Sequence, residues 1–393
     1  MSDSIDPHSS ELPDNTTENL FITSSGETAS RTDDSIIVRL PPGRVVLSTA
    51  SVNGGFRTDM QAVINHQLSH DAIHSHQLEG GSIESYLAKT AKRLNLDPDT
   101  TAGLLTAAKM KHAAVVTESF RGLEVTALIT AGIEVNGGRA GDPASYYQES
   151  GKITPVGGTI NTILIINADL PERTCIQAVI TATEAKTAAL QQLMAQSQYS
   201  SGIATGSGTD GIAIIADTTS SQRLTDAGKH SKLGELIGTA IIKGTTEALS
   251  RQSGLNSLSQ RNLMVRLARF GITEEEIWSV ATKLDGENRR ACFINSLREI
   301  AQEPALVSAV SAVIHIHDEI SWGLIPAVAG QMAACNVLSV IPYLAEIRSK
   351  HADSVPLSHQ ISVLENLKVT IAYIAKQKYL SGTKISCNAQ DTS

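Results

Sequence analysis

The stretch Thr159-Ile-Asn-Thr-Ile-Leu-Ile-Ile-Asn167 decides the fold class of this chain. Its β-branched and apolar residues predict a strand. The strand passes into Asp169-Leu-Pro-Glu172, where an N-cap aspartate, an early proline and a glutamate three residues after the cap predict a helix start. We expect that helix to end near Ala195. Gly211–Ala216 and Ser231–Arg251 read as a further strand and helix, so the region mixes both kinds of element.

The residues before this stretch also mix strands with helices. Ser35–Leu40 and Arg44–Ser51 read as strands around a Pro-Pro-Gly turn. The β-branched runs His112–Phe120 and Leu123–Ile133 predict a hairpin. Three further segments are predicted to be helical, namely Asp59–His76, Ser82–Leu94 and a helix from Asp97 to about Met110. An α+β domain, a mixed sheet with packed helices, is therefore expected over residues 35–253.

After Gly254 the strand signals end and helical patterns follow. We expect an all-helical C-terminal extension over residues 254–380, with helices at Leu258–Phe270, Glu274–Leu284, Arg289–Ile300, Pro304–Glu319 and Leu357–Tyr379. The stretch Ile320–Ala345 carries no formal charge, but glycine, proline and polar residues interrupt it. A spanning helix needs about 20 predominantly apolar residues. We therefore interpret this stretch as buried helices, with a membrane segment as the alternative, and expect no membrane partner.

Composition predicts a polar tail at each end of the chain. Residues 1–34 are rich in serine, threonine and acidic residues, which predicts a disordered acidic tail, and residues 381–393 are a second polar tail. Residues 1–35 hold eight acidic and one basic side chain, and so carry nearly all of the net charge of −8. The rest of the chain is close to neutral. With no basic patch, a nucleic-acid partner is not expected.

The spacing of the cysteines argues against zinc and redox motifs, and the N-terminal composition concerns the cellular location. Cys175, Cys292, Cys335 and Cys387 form no Cys-x-x-Cys pair, which excludes a zinc ribbon and a thioredoxin-like motif. The N-terminus lacks the basic and then apolar segments that are typical of a signal peptide. A cytoplasmic location is therefore expected.

The loop Ala204-Thr-Gly-Ser-Gly-Thr-Asp-Gly211 is the most unusual segment. Its glycines allow backbone N–H groups to approach a ligand closely, and the hydroxyls of Thr205, Ser207 and Thr209 add polar contacts. It is not a phosphate-binding P-loop, because no Gly-Lys-Ser/Thr follows. Asp210 directly precedes a strand, which favours a functional loop over an ordinary turn.

The helix after Asp169 places Lys186 in the middle of a broad apolar arc. An ammonium group there must extend to water, find a partner or lose its charge. We expect it to pair with Asp210, so that the loop and this helix line one pocket. Glu184 lies on the polar side of the same helix.

Histidines suggest a second centre. His66, His70 and His74 fall on one face if Asp59–His76 is helical, and His-x-x-x-His on a helix can bind zinc. No glutamate follows the first histidine, as a metalloprotease motif requires. A solvated histidine-rich segment is the alternative, and we predict no metal site.

Two loops complete the candidates. Arg139 and Asp142 can form an ion pair in Gly138–Pro143. Lys229 and His230 precede a helix start, where exposed N–H groups and these side chains can hold a carboxylate or another acceptor. An ordinary turn and a solvated helix cap are the respective alternatives.

Seven motifs occur in order along the chain and together resemble the adenosylcobinamide amidohydrolase family (CbiZ type) over about residues 44–251. They are Val46–Arg57 (VLSTASVNGGFR), Asn65–Gln67 (NHQ), Arg139–Pro143 (RAGDP), Gly158–Asp169 (GTINTILIINAD), Ala182–Leu190 (ATEAKTAAL), Thr205–Asp210 (TGSGTD) and Lys232–Gly238 (KLGELIG).

The resemblance implies corrinoid salvage. Such enzymes hydrolyse the amide that joins the aminopropanol arm to the corrin ring of adenosylcobinamide, giving adenosylcobyric acid and 1-amino-2-propanol. The corrinoid is then substrate and not cofactor, and no cofactor is expected. A non-catalytic corrinoid carrier or sensor is one alternative, and a zinc-dependent amidase built on the histidines is another. A homo-oligomer is possible.

Residue roles follow from the chemistry of amide hydrolysis. Asp210, Glu184 or His66 is the candidate base, and Lys186 or the N–H groups of residues 206–209 are candidates to hold the oxyanion. The candidate substrate-binding residues are Asn53, Arg57, Asp142, Asn161, Thr205, Ser207, Thr209, Lys229 and His230.

Overall fold

The computed structural model describes residues 17–68, 78–144, 158–344 and 355–381. The chain divides after Leu255 into two compact units. The N-terminal unit combines sheets with helices, and the described part of the C-terminal unit is all-helical. This confirms the expected fold class.

The N-terminal unit contains two large sheets and a short ribbon. The first sheet has strand order β1-β2-β3-β6-β7, the second has order β5-β4-β13-β11-β9-β8, and β10 pairs with β12. The strands are β1 (Glu18–Ile22), β2 (Thr28–Arg31), β3 (Ser35–Arg39), β4 (Arg44–Ser48), β5 (Gly55–Arg57), β6 (Ala62–Gln67), β7 (Thr101–Thr106), β8 (Ala114–Phe120), β9 (Leu123–Ala131), β10 (Gly137–Gly138), β11 (Ile160–Ile166), β12 (Gly206–Ser207) and β13 (Gly211–Asp217). The helices are α1 (Ile83–Arg93), α2 (Glu172–Gln192) and α3 (Lys232–Ser253).

The two sheets and three helices form four layers. The layers can be identified from the strands, in which successive residues face opposite sides of the sheet. Ile36 and Val38 of β3 pack between the sheets with Ile163 of β11. Ile37, between them in sequence, packs on the other side with Leu87 of α1. The outer face of the second sheet packs against α2 and α3. The order of layers is therefore α1, first sheet, second sheet, and α2 with α3.

The expected disordered tail over residues 1–34 is wrong for residues 18–31, which form β1 and β2. Leu20 and Phe21 pack against the core between the sheets. Glu27 is fully buried and ion-paired with Arg44, which also binds Asp217 at 2.7 Å. Composition missed these strands because the acid here is paired inside the fold and not solvated. Residues 1–16 lie outside the described part of the chain.

Two predicted helices are also wrong. β6 occupies the described centre of Asp59–His76, and β7 follows a short 3-10 turn at Pro98–Thr100 instead of a helix to Met110. The two strands pair in parallel, Asn65 opposite Leu104. This pairing buries both segments in the first sheet, so long-range contacts outweigh the local helical signals. The other predicted strands and helices of this unit are confirmed within a few residues.

The C-terminal unit is built from α4 (Leu263–Leu267), α5 (Glu274–Ala281), α6 (Arg290–Ile300), α7 (Pro304–Ser321), α8 (Ala327–Leu344) and α9 (Val363–Ser381). Phe293, Leu338 and Leu367 belong to its own core. Val328 and Met332 of α8 are exposed, so the prediction that Ile320–Ala345 is buried holds only in part. No helix within the described residues is long and apolar enough to cross a membrane.

Candidate active site

The loop between β12 and β13 lies where the central strands of the second sheet begin. β11 and β13 are parallel, with Asn161 opposite Gly211. Ile160 and Asp210 therefore lie side by side at the N-terminal ends of these two strands. Gly206 of β12 pairs with Gly138 of β10. The loop is therefore fixed at both ends by strand pairing.

Four hydrogen-bond donors surround the carboxylate of Asp210. Its Oδ1 accepts from Ser207 Oγ at 2.6 Å and from Ile160 N at 3.0 Å. Its Oδ2 accepts from Ser207 N at 3.0 Å and forms an ion pair with Lys186 Nζ. An ionised carboxylate offers about four lone-pair positions, so these donors use the whole acceptor capacity of Asp210.

Lys186 reaches Asp210 from α2, so the expected pairing is present in the structure. The two side chains are only 14% and 17% exposed. Ala182, Ala185 and Ala189 on the same helix are buried, which gives the ammonium an apolar approach. Asp210 takes one hydrogen bond from it. Among the described residues, the ammonium forms no hydrogen bond other than this one.

Gly206 makes room for this ion pair. A Cβ at position 206 would overlap Asp210 Oδ2 and lie 3.1 Å from Lys186 Nζ. A Cβ at Gly208, two residues on, would meet nothing within 4 Å. The absence of a side chain is thus a steric requirement at 206 and not at 208.

Polar side chains hold the rest of the loop. Thr187 Oγ1 of α2 donates to Thr205 O at 3.1 Å, and Thr205 Oγ1 accepts from Ala140 N at 2.9 Å. The hydroxyls of Thr159 and Thr209 lie 2.7 Å apart. Thr159 was not singled out from the sequence, although it lies within one of the seven motifs.

Asp142 lies in the neighbouring loop. Its Oδ2 accepts from Ser197 Oγ at 2.5 Å and from Arg139 N at 2.8 Å. Burial opposes ionisation of Asp142, but hydrogen bonds from Ser197, Ser200 and the Arg139 backbone lower its pKa overall. The structure joins this loop to the Lys186 centre through the Ala140–Thr205 hydrogen bond.

Glu184, Lys229 and His230 lie apart from Lys186. Two residues along a helix are about 200° apart, so Glu184 points away from Lys186. Glu184 Oε2 instead lies 2.7 Å from Lys229 Nζ, with side chains 49% and 59% exposed. His230 is exposed before α3, whose N-cap is Ser231. The ordinary helix cap and surface ion pair account for these three residues.

His66 lies on the far side of both sheets from Asp210. It belongs to β6, where its Nδ1 is 2.7 Å from Ser35 Oγ and its Nε2 is 2.8 Å from the hydroxyl of Tyr86 on α1. Burial lowers the pKa of His66, and the charge of Asp34 only partly opposes this. The structure therefore does not bring His66 together with Lys186. His70, His74 and His76 lie outside the described residues.

Asn53 and Arg57 hold the turn after β4 in place. Asn53 has a left-handed backbone, φ 53°, and its Nδ2 donates to Pro98 O at 2.7 Å and to Thr101 O at 2.8 Å. Arg57 pairs with Asp59 at 2.7 Å. The amide hydrogens of Asn53 are thus used within the fold.

Asn161 belongs to a polar network between the sheets. Its Nδ2 donates to Asn65 Oδ1 and to Leu105 O, both at 2.8 Å. Asn65 in turn donates to Thr130 Oγ1 at 2.8 Å. Both asparagines are buried. Asn65 was missed as a partner of Asn161, because nothing in the sequence joins two asparagines so far apart.

Among the described residues, no group of three histidine, cysteine, aspartate or glutamate side chains is placed to hold a metal ion. The histidine spacing that suggested zinc relied on a helix, whereas His66 lies in a strand.

Comparison with known proteins returns the same family as the seven motifs. Residues 20–257 match the family model described as adenosylcobinamide amidohydrolase. The chain is 34% identical over 232 residues to an uncharacterised protein of Methanocaldococcus jannaschii, covering 55% of this chain and 86% of that one. It is 27% identical over 225 residues to the adenosylcobinamide amidohydrolase of Methanosarcina mazei, covering 55% of this chain and 94% of that one.

Structural similarity is weak. The crystal structure of the PH0078 protein from Pyrococcus horikoshii OT3 aligns with a TM-score of 0.31 and 12% identity, covering 65% of this chain and 92% of that one. This similarity is too low to assign a fold.

Proposed function

Since the chain belongs to the adenosylcobinamide amidohydrolase family, we propose that it hydrolyses the aminopropanol amide of adenosylcobinamide. The products are adenosylcobyric acid and 1-amino-2-propanol, and the role is corrinoid salvage in the cytoplasm. The corrinoid is the substrate, and we propose no resident cofactor.

The ammonium of Lys186 is the observation that carries this proposal. Water adds to the amide carbonyl carbon, and the carbonyl oxygen becomes an oxyanion. The C–N bond then breaks and the amine leaves with a proton. Fixed positive charge beside the oxyanion lowers the barrier most where water is largely excluded. Lys186 is mostly buried and pairs with the carboxylate of Asp210, and its ammonium forms no hydrogen bond to any other described residue.

The surroundings of Lys186 suit a neutral amide. Its charge is balanced by Asp210, so the pair as a whole is neutral. Thr205 is half-exposed and Thr209 is exposed in the same loop as Asp210, and their hydroxyls contact Ala140 N and Thr159 Oγ1. A corrin ring carries amides around its rim, and hydroxyl groups can both donate to and accept from amides.

Release of 1-amino-2-propanol tests the proposal directly. Purified full-length protein is incubated with adenosylcobinamide, and the free amine and adenosylcobyric acid are quantified by mass spectrometry. We expect both products in equal amounts. Binding of the corrinoid without release of the amine favours a carrier or sensor. Loss of activity on dialysis against a chelator, restored by zinc, favours a zinc-dependent amidase.

A further inference from the structure

The carboxylate of Asp210 has no free position for a water molecule. A general base must accept a hydrogen bond from the water that it deprotonates. Ser207 Oγ, Ser207 N, Ile160 N and Lys186 Nζ already fill both oxygens of Asp210. Two of these donors are backbone N–H groups, which cannot rotate away. Asp210 is therefore poorly arranged to take a proton from water.

The same contacts make Asp210 a rigid anchor. Its two backbone bonds join the loop at Ser207 to the start of β11 at Ile160. Lys186 approaches this anchor through the space that Gly206 leaves open. A lysine has four rotatable bonds, so an unanchored ammonium on an apolar surface extends towards water. Its contact with Asp210 keeps the ammonium of Lys186 at one position.

We propose that Asp210 is a positioning residue that fixes the ammonium of Lys186 for the oxyanion, and that it is not the base of the reaction. The assignment rests on the proposed function. It divides the roles within the pair, because Lys186 contacts the reacting oxygen and Asp210 acts only through Lys186. Overall, the attacking water gives its OH to the carbonyl carbon and one proton to the departing amine, and Asp210 does not carry that proton.

The pH profile of Asp210→Asn separates positioning from base catalysis. Asparagine keeps one oxygen, which can accept from only one of the two backbone N–H groups, because Ile160 N and Ser207 N bond to different oxygens of Asp210. It also loses the charge that holds Lys186, and circular dichroism checks that the variant keeps its fold. We expect kcat to fall on the order of 10²-fold, the effect of losing one oxyanion contact. The acid limb of kcat against pH should keep its wild-type midpoint. Loss of that acid limb in Asp210→Asn would show that Asp210 is the base and overturn the assignment.

A double variant gives a second kinetic test. Groups that act as a unit have non-additive effects. In the Lys186→Met background, Asp210→Asn should lower kcat by less than about twofold further, since nothing remains to be positioned. A further fall on the order of 10²-fold would assign Asp210 a separate role.

Chemical labelling tests positioning without any turnover. The labelling rates of Lys186 and Lys229 by an amine-acylating reagent are compared by peptide mass spectrometry. Asp210→Asn should raise the rate at Lys186 severalfold and leave Lys229 unchanged. Glu184→Gln is the matched control, since it removes the carboxylate partner of Lys229. An unchanged rate at Lys186 in correctly folded Asp210→Asn would overturn the assignment. If the wild-type protein releases no amine, the proposed function fails, while this measurement still tests the positioning.

Discussion

Two lysine–carboxylate pairs each include one residue of α2. They have the same residue types and differ in burial. Lys186 of the helix pairs with Asp210 of a loop, and Glu184 of the helix pairs with Lys229 of another loop. The first pair is mostly buried and its carboxylate has three more donors. The second pair is about half exposed. An exposed pair is screened by water, whereas a buried pair holds its geometry. The comparison shows that the surroundings, and not the residue types, single out one pair as a candidate site.

Lys186→Met should produce the largest effect of these variants, a fall in kcat. It is therefore the strongest test of the difference between the buried and the exposed pair. The substitution keeps much of the apolar stem but removes the charge beside the proposed oxyanion. We expect kcat to fall on the order of 10²-fold or more, with folding retained. The measurement is steady-state release of 1-amino-2-propanol, together with circular dichroism. Lys243→Met is the control. Lys243 lies on α3, is exposed, and pairs with Glu118 of β8. A wild-type kcat in Lys186→Met would make the buried pair merely structural.

Gly206→Ala should destabilise the N-terminal unit, and Gly208→Ala should not. The added methyl group at 206 overlaps the Lys186–Asp210 pair, and overpacking of this kind costs about 1–3 kcal/mol. At 208 the methyl group meets open space, so the change should stay within about 0.5 kcal/mol. Urea unfolding of the two variants provides the measurement. Equal free energies of unfolding would mean that the buried pair does not need this space.

His66 should make the free energy of unfolding depend on pH. It is buried, and both of its ring nitrogens have hydrogen-bond partners. Burial lowers its folded pKa, so the unfolded chain binds the proton first as pH falls below the ordinary value of 6.5. The free energy of unfolding should therefore decrease from pH 6.5 down to the folded pKa, by up to about 1.4 kcal/mol per pH unit. The charges that face His66 are those of Asp34 and Arg93.

The measurement is urea unfolding at several pH values, with His66→Gln as the comparison. Glutamine cannot titrate, so its stability should change less with pH over this range. Identical pH slopes for the two proteins would show that His66 does not titrate differently on folding.

Removal of the exposed Glu184–Lys229 pair should have the smallest effect on the free energy of unfolding. Removing it with Glu184→Gln should cost less than about 1 kcal/mol, and less still at high salt. Double-variant cycles compare this coupling free energy with that of Lys186–Asp210. We expect the larger value for Lys186–Asp210. A coupling at Glu184–Lys229 that matches or exceeds it would remove the distinction between the pairs.

Local signals predicted the contact between Lys186 and Asp210. Lys186 lies on an apolar helix face, and that position alone required a partner. Asp210 lies at the end of a glycine-rich loop, and the structure joins the two. Glu184 and Lys229 pair with each other and lie apart from Lys186, because Glu184 is on the opposite face of α2 from Lys186. The catalytic and binding roles themselves remain predictions.

Local signals failed where distant contacts decide the structure. The four-residue spacing of His66, His70 and His74 imitates one face of a helix, but parallel pairing with β7 makes the described part a strand. Residues 18–31 have the composition of a tail, but pairing with β3 and the Glu27–Arg44 contact bring them into the fold. β7 is distant from β6 in sequence, whereas β3 follows β2 directly but pairs with residues that have the composition of a tail.

The sequence by itself determined the α+β class, the helical extension and the family, because strand and helix periodicities and ordered motifs are local properties of the chain. Only the tertiary structure decided which ionisable groups meet. It placed two sheets between His66 and Asp210, and opposite faces of α2 between Glu184 and Lys186. It also filled the lone pairs of Asp210 with donors from the end of β12, the start of β11 and one helix. Such contacts depend on strand order and layer packing, which no short stretch of sequence encodes.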